Sequence, residues 1–328
     1  MEDLWANNLR QKSWEKTCIA KYPAFLAQST LDQYNKCINQ FLVFCAEVEF
    51  TDHSDTVKRD AIIAQFLNDI AVKSERPESA LKTFMAALTH YYKTTNAPIN
   101  SELLTNFCKA LTKAETKRPA GRTKIMPIQK FTDMLKAWGN NDNLGIERLR
   151  QKAITLFALS AMCRPSDIAP KVGFYRDQIE FTADGKMKVT FFGIKNDADR
   201  HGMEVKIDPA EIPETDPVDT VRLYLARTND NNITRQPVFV TLNDTGKGIS
   251  SSTVSQILRK SIQDAGLGEE FTPRCFRPTA ASAAVKGGVP VQTARVIGRW
   301  KSQQVFFERY LYPMTSGSAT QKMFSVHL

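Results

Sequence analysis

The residues best suited to chemistry are basic side chains at helix ends and turns. Arg164 follows the apolar stretch from Ile154 to Met162 and precedes Pro165. The residue before a proline is pushed out of the helical region, so Arg164 stands at a forced break. An arginine after so apolar a stretch needs a partner or an anionic ligand, and Asp167 is placed to hold its guanidinium. A second set is Arg274-Cys275-Phe276-Arg277-Pro278-Thr279, whose two arginines share one face if the segment is helical. A third is Ile297-Gly298-Arg299-Trp300-Lys301, followed by a helical run that reaches Tyr310. Forked guanidinium donors suit a phosphate, an indole offers one N–H, and a tyrosine hydroxyl can act as a nucleophile. No Gly-rich phosphate loop, His-Glu-x-x-His pair or Gly-x-Ser-x-Gly elbow is present. The four histidines (His53, His90, His201 and His327) lie outside these motifs, which argues against a histidine-cluster mechanism.

Taken singly, each residue reads as easily as structure: an arginine answering a helix dipole, a core tryptophan, a packed tyrosine. The ordered set resembles the tyrosine recombinases, the phage-integrase family. Arg164 and Asp167 match that family's Arg-x-x-Glu/Asp box. Arg277, Thr279, Ala281 and Ser282 match its His-x-x-Arg box, with Arg274 where the histidine is expected. Ile297, Gly298 and either Trp300 or Arg299 match the Leu-Gly-His/Trp box. Tyr310, ten residues beyond Trp300, stands for the nucleophile, with Tyr312 as the fallback. The Gly-Arg-Trp form looks most like integrases of eukaryotic mobile elements of the crypton or DIRS-like kind.

The resemblance implies strand cleavage and rejoining through a 3′-phosphotyrosine, with duplex DNA as partner, a tetramer in synapsis, and neither metal nor cofactor. It makes Arg164, Arg274, Arg277, Trp300 and Tyr310 catalytic, with Asp167 supporting. It also asks for a lysine on a strand hairpin to protonate the leaving 5′ oxygen. Lys195 is the best candidate, although Lys186 and Lys188 are close by. Arginine stays protonated and cannot replace a histidine as base, so Arg274 keeps open a non-catalytic, domesticated DNA-binding protein. A type IB topoisomerase-like relaxase shares the same residue logic.

Two regions must position these residues. Apolar residues recur at helical spacing through four segments of the first third, the first opened by Ser29. The basic stretch from Lys113 to Lys124 then contains Pro119 and Gly121 and reads as a linker. The fold expected is mainly α: a helical, SAM-like core-binding domain over residues 1–118, a linker at 119–124, and a catalytic domain over 125–328. That second domain mixes helices with a small antiparallel sheet, the DNA breaking-rejoining fold. Alternating apolar residues from Ile179 to Ile207, with Asp184-Gly185 as a hairpin turn, supply the sheet. Helices are expected at 128–138 and 145–162, after Asp216-Pro217, and from Ser252.

Composition agrees with a globular DNA binder. The 328 residues carry 44 Lys plus Arg against 35 Asp plus Glu, a net +9. Residues 101–150 hold ten basic residues against five acids, and residues 251–328 ten against four. Neutralising phosphates there would release condensed counterions. Lys113, Lys117, Arg118, Arg122, Lys124 and Arg299 are the expected backbone-contacting residues. The basic stretch would also suit nuclear import in a eukaryotic host, with a cytoplasmic or nucleoid setting otherwise. The longest unbroken apolar run, Phe41 to Ala46, is too short to span a bilayer. Six scattered cysteines suggest a reducing compartment.

Overall fold

The computed structural model describes residues 26, 28–75, 77–93, 98–113, 124–194, 197 and 201–307. The chain divides into two compact units, Met1–Ala120 and Gly121–Leu328.

In the first unit, α1 (Gln28–Glu47), α2 (Thr56–Lys73), α3 (Pro77–Lys93) and α4 (Ser101–Lys113) surround one core. Ile38, Phe41, Ile63, Phe66, Leu67, Leu81 and Leu88 are buried, each from the apolar stripe of its helix. Ser29 is not the cap expected: α1 already includes Gln28, whose side chain bonds Asp32 at 2.9 Å. Asp55 caps α2 by accepting from the Lys58 N–H at 3.0 Å. The buried Arg59 is satisfied by Asp60, the Pro98 carbonyl and the face of Tyr92.

The second unit is built round α6 (Ile146–Ser160). Its residues from Leu149 to Ala158 are buried except Arg150, the pattern of a helix enclosed on all sides. Around it lie α5 (Ile128–Trp138), α8 (Pro217–Arg227), α9 (Ser251–Asp264) and α10 (Phe276–Lys286). Asp216 caps α8 ahead of Pro217, as expected, whereas α9 begins after Ser250 and not at Ser252. The antiparallel sheet has the order β1 (Ile179–Phe181), β2 (Met187–Phe191), β3 (Met203–Ile207). Val189 lies between Ile179 and Val205, so Met187, Val189, Phe191, Val205 and Ile207 face the core. Gly185 turns the β1–β2 hairpin at φ +81°, where a side chain would be strained. The alternation did not reveal a second ribbon, β4 (Val240–Thr241) with β5 (Asp244–Gly248), because Asp-Thr-Gly-Lys-Gly has no apolar face. Among the described residues three short α-helices complete the unit: α7 (Pro165–Ile168), α11 (Val291–Ile297) and α12 (Gln303–Phe306). The mainly helical fold with small antiparallel sheets is the one expected.

Candidate active site

Two helix ends of the same design build the site. After α6, the Cys163 N–H reaches back to the Ala158 carbonyl and the Met162 N–H to that of Leu159. After α11, Trp300 reaches Arg295 and Arg299 reaches Val296 in the same pattern. This C-terminal motif needs a left-handed residue, usually glycine. Here Met162 (φ +47°) and Arg299 (φ +57°) occupy that position. The chain then turns sharply in both places, delivering Arg164 at one end and Trp300 at the other.

Asp167 is where the motifs meet. It is buried (1% exposed), and its Oδ2 accepts from the Arg164 backbone N–H at 3.0 Å. The same oxygen takes Arg277 Nη1 at 3.3 Å and Arg299 Nη2 at 3.5 Å, with Arg164 Nη1 at 3.9 Å. Arg277 also donates to the Gly298 carbonyl, and its guanidinium lies 4.2 Å over the Trp300 ring. One carboxylate therefore faces three guanidinium groups. Arg277 is drawn down to about 10, first by burial and then by the charge of Arg164, and is still a cation at neutral pH. Burial pushes the neighbouring Cys163 thiol up to about 11, so it stays protonated. Among the described residues, Arg277 Nε and Asp167 Oδ1 have no hydrogen-bond partner.

The expected residues fall into three groups. Arg164, Asp167, Arg277 and Trp300 come together. Arg274 does not share the face of Arg277: it is exposed on the 3-10 turn Pro273–Cys275, while Arg277 is buried in α10. Arg299, expected on the DNA backbone, is instead 3% exposed, because its left-handed turn carries the side chain into the protein. Lys113 and Lys124 are exposed. Lys195, Tyr310, Tyr312, Lys117, Arg118 and Arg122 lie outside the described residues.

Supporting positions were less visible in the sequence. Thr279 accepts from the Met126 N–H at 2.9 Å and so ties the start of the second unit to α10. The Asp197 carboxylate accepts from Gly193 at 3.1 Å and Gly202 at 3.3 Å, holding both sides of the β2–β3 connection. Lys186 pairs with Asp208 at 3.1 Å and Lys188 with Glu180 at 2.5 Å, so both are engaged on the sheet surface.

Trp300 packs with Met162, Ala280, Ala281, Ala294 and Phe306. A Cβ on Gly298 would overlap the Trp300 ring, so glycine is needed here for space. Gly298→Ala is expected to displace the ring and destabilise by about 1–3 kcal/mol, as overpacking does. At Gly287 a Cβ would meet only the Ala283 and Ala284 carbonyls, at 3.4 and 3.5 Å, making Gly287→Ala the matched control. Thermal melts and tryptophan near-UV dichroism of the two variants check this; equal behaviour would contradict it.

No protein-family model matches the sequence, and no curated protein sequence does. Solved structures do. A Tn1549 transposon integrase in complex with transposon right-end DNA aligns with a TM-score of 0.59 at 11% identity, over 99% of this chain and 98% of that one. A lambda integrase dimer bound to a core site gives 0.58 at 15% identity, over 93% and 94%. The chain shares the fold of the integrases. A XerH site-specific recombinase bound to a palindromic difH substrate aligns at 0.55 and 11% identity, over 90% and 84%. These integrase-fold neighbours are tyrosine recombinases.

Proposed function

We propose that the chain is a DNA recombinase or integrase that cleaves and rejoins strands through a 3′-phosphotyrosine. The observation that carries this is the charge imbalance at Asp167, where three guanidinium groups meet one carboxylate. An anion beside Arg164 and Arg277 would offset charge that the carboxylate they share does not. A scissile phosphate fits, because its non-bridging oxygens gain charge as the pentacovalent state forms. The integrase fold supports the same reading.

In this mechanism the Tyr310 hydroxyl oxygen attacks phosphorus, its proton passing to water, and the bond from phosphorus to the 5′ oxygen breaks. Lys195 gives that oxygen its proton. The choice of Lys195 is supported by the carboxylate partners of Lys186 and Lys188. Arg164 and Arg277 bind the non-bridging oxygens, and Trp300 adds one N–H. Arg274, exposed just ahead of α10, cannot act as the tyrosine's base. The 5′ hydroxyl of another strand reverses the step, so the ester conserves the bond. The working assembly is a tetramer on duplex DNA, with Lys113, Lys117, Arg118, Arg122 and Lys124 on its backbone. The Gly298-Arg299-Trp300 form suggests a eukaryotic mobile element as source.

The test is covalent trapping on nicked duplexes carrying candidate sites. Wild type should form a protein–DNA adduct, and Tyr310→Phe should abolish it. Adduct that survives Tyr310→Phe but not Tyr312→Phe would move the nucleophile to Tyr312. Salt-sensitive duplex binding without adduct would favour the non-catalytic reading suggested by Arg274. Relaxation of supercoiled plasmid without a target site would favour the relaxase.

A further inference from the structure

Arg299 is the one arginine of the cluster whose place the phosphate chemistry does not explain. It is as buried (3% exposed) as Arg277 (2%), so its contacts and not its burial set it apart. It touches three separate segments. Its Nη2 lies 3.4 Å from Cys163 Sγ and 3.5 Å from Asp167 Oδ2, both at the break after α6. Its Nη1 donates to the Ile297 carbonyl at 3.0 Å, at the end of α11. Its guanidinium lies 4.3 Å over the ring of Phe191, the last residue of β2. The chain leaving Phe191 runs through Gly193, which Asp197 holds, into the connection that contains Lys195.

We propose that Arg299 is a positioning residue, locking the Asp167–Arg277 pair to the end of β2 and touching no DNA. This rests on the recombinase reading above. Three features of the geometry support it. Arg299 and Arg277 share one oxygen of Asp167, so the carboxylate cannot turn without disturbing both. The flat guanidinium stacks on Phe191 and bonds in its own plane at once, which a lysine ammonium cannot do. The left-handed backbone at Arg299 is one that glycine adopts at no steric cost. Non-glycine residues held in such conformations concentrate at functional sites.

The experiment compares full-length wild type with Arg299→Lys, which keeps the charge, and Arg299→Gly, which relaxes the backbone and removes the side chain. Single-turnover adduct formation is measured against DNA concentration. Thermal stabilisation by orthovanadate, a phosphoryl transition-state mimic, is measured without DNA. Both variants should reach half-saturation at the wild-type DNA concentration while the rate at saturation falls about 10–100-fold, the loss typical of an outer-layer partner. Vanadate stabilisation should disappear in both. Weaker DNA binding with an unchanged saturated rate would overturn the proposal and return Arg299 to the DNA backbone. A lower melting temperature with normal rate and vanadate response would overturn it in favour of plain packing. If wild type forms no adduct on any nicked duplex, the recombinase reading fails, and the vanadate response of wild type against Arg299→Lys still decides the positioning role. A wild type blind to vanadate leaves no anion site to position and overturns it.

Discussion

Asp167→Ala is expected to lower the melting temperature of the C-terminal unit by roughly 10 °C. The reason is charge. Asp167 Oδ2 is the shared acceptor for Arg277 and Arg299 and lies 3.9 Å from Arg164 Nη1. Removing it leaves two guanidinium groups in the interior with like charges for neighbours. Breaking a buried ion pair from one side typically costs about 3–5 kcal/mol, most of it the uncompensated charge. A unit the size of Gly121–Leu328 converts each kcal/mol into about 2–4 °C. The variant also loses the acceptor for the Arg164 N–H, which fixes the turn into α7. Asp167→Asn keeps an oxygen there and should lose less. Adding Arg299→Met to Asp167→Ala removes one of the like charges that face each other there, so the double variant should be more stable than the sum of the single losses. Calorimetric melts of wild type, the three single variants and the double variant check this. A wild-type melting temperature for Asp167→Ala would show that the cluster is not held by charge.

How much of this was legible in the sequence depends on what each residue answers to. Arg164 and Asp167 were readable as a pair because Pro165 forces the break and they stand three positions apart. Asp216-Pro217 and Asp184-Gly185 were readable for the same kind of reason: local stereochemistry decides them. The change from helical to alternating periodicity marked a helical chain with a small antiparallel sheet, and the resemblance carried by the ordered motifs implied the integrase fold. Arg299 was not readable. Gly298 marks the end of α11, but the left-handed residue is the next one, Arg299. A shift of one position in that motif reverses whether the side chain meets solvent or core. Charge counting registers an arginine in a basic segment and places it outside. Arg274 and Arg277 were placed on one face on spacing alone, and spacing does not tell that Arg274 is exposed while Arg277 is buried. The contacts of Phe191 and Cys163 with Arg299 span 108 and 136 residues of chain, and only the tertiary fold brings them together.

Arg277→Lys should slow adduct formation by about 10²–10³-fold at saturating DNA, the usual loss for one donor to a developing oxyanion. Arg277 already gives one nitrogen to Asp167 and another to the Gly298 carbonyl, with its Nε unmet. A guanidinium can hold both internal acceptors and still offer a hydrogen bond to phosphate in a fixed direction. A lysine ammonium on a flexible stem must choose among them, and it loses the flat stack on Trp300. The charge is kept, so DNA affinity and its salt dependence should change little. The effect belongs in the rate at saturation because the lost contact strengthens only as the phosphate gains charge. Arg164 offers a second guanidinium to the same phosphate from a partly exposed position (34%). If the two act as a clamp, Arg164→Lys with Arg277→Lys should be far less damaging than the product of the single losses. Single-turnover trapping on nicked duplexes, with duplex binding measured over a salt series, separates these terms. A wild-type adduct rate for Arg277→Lys would place the phosphate somewhere other than this cluster.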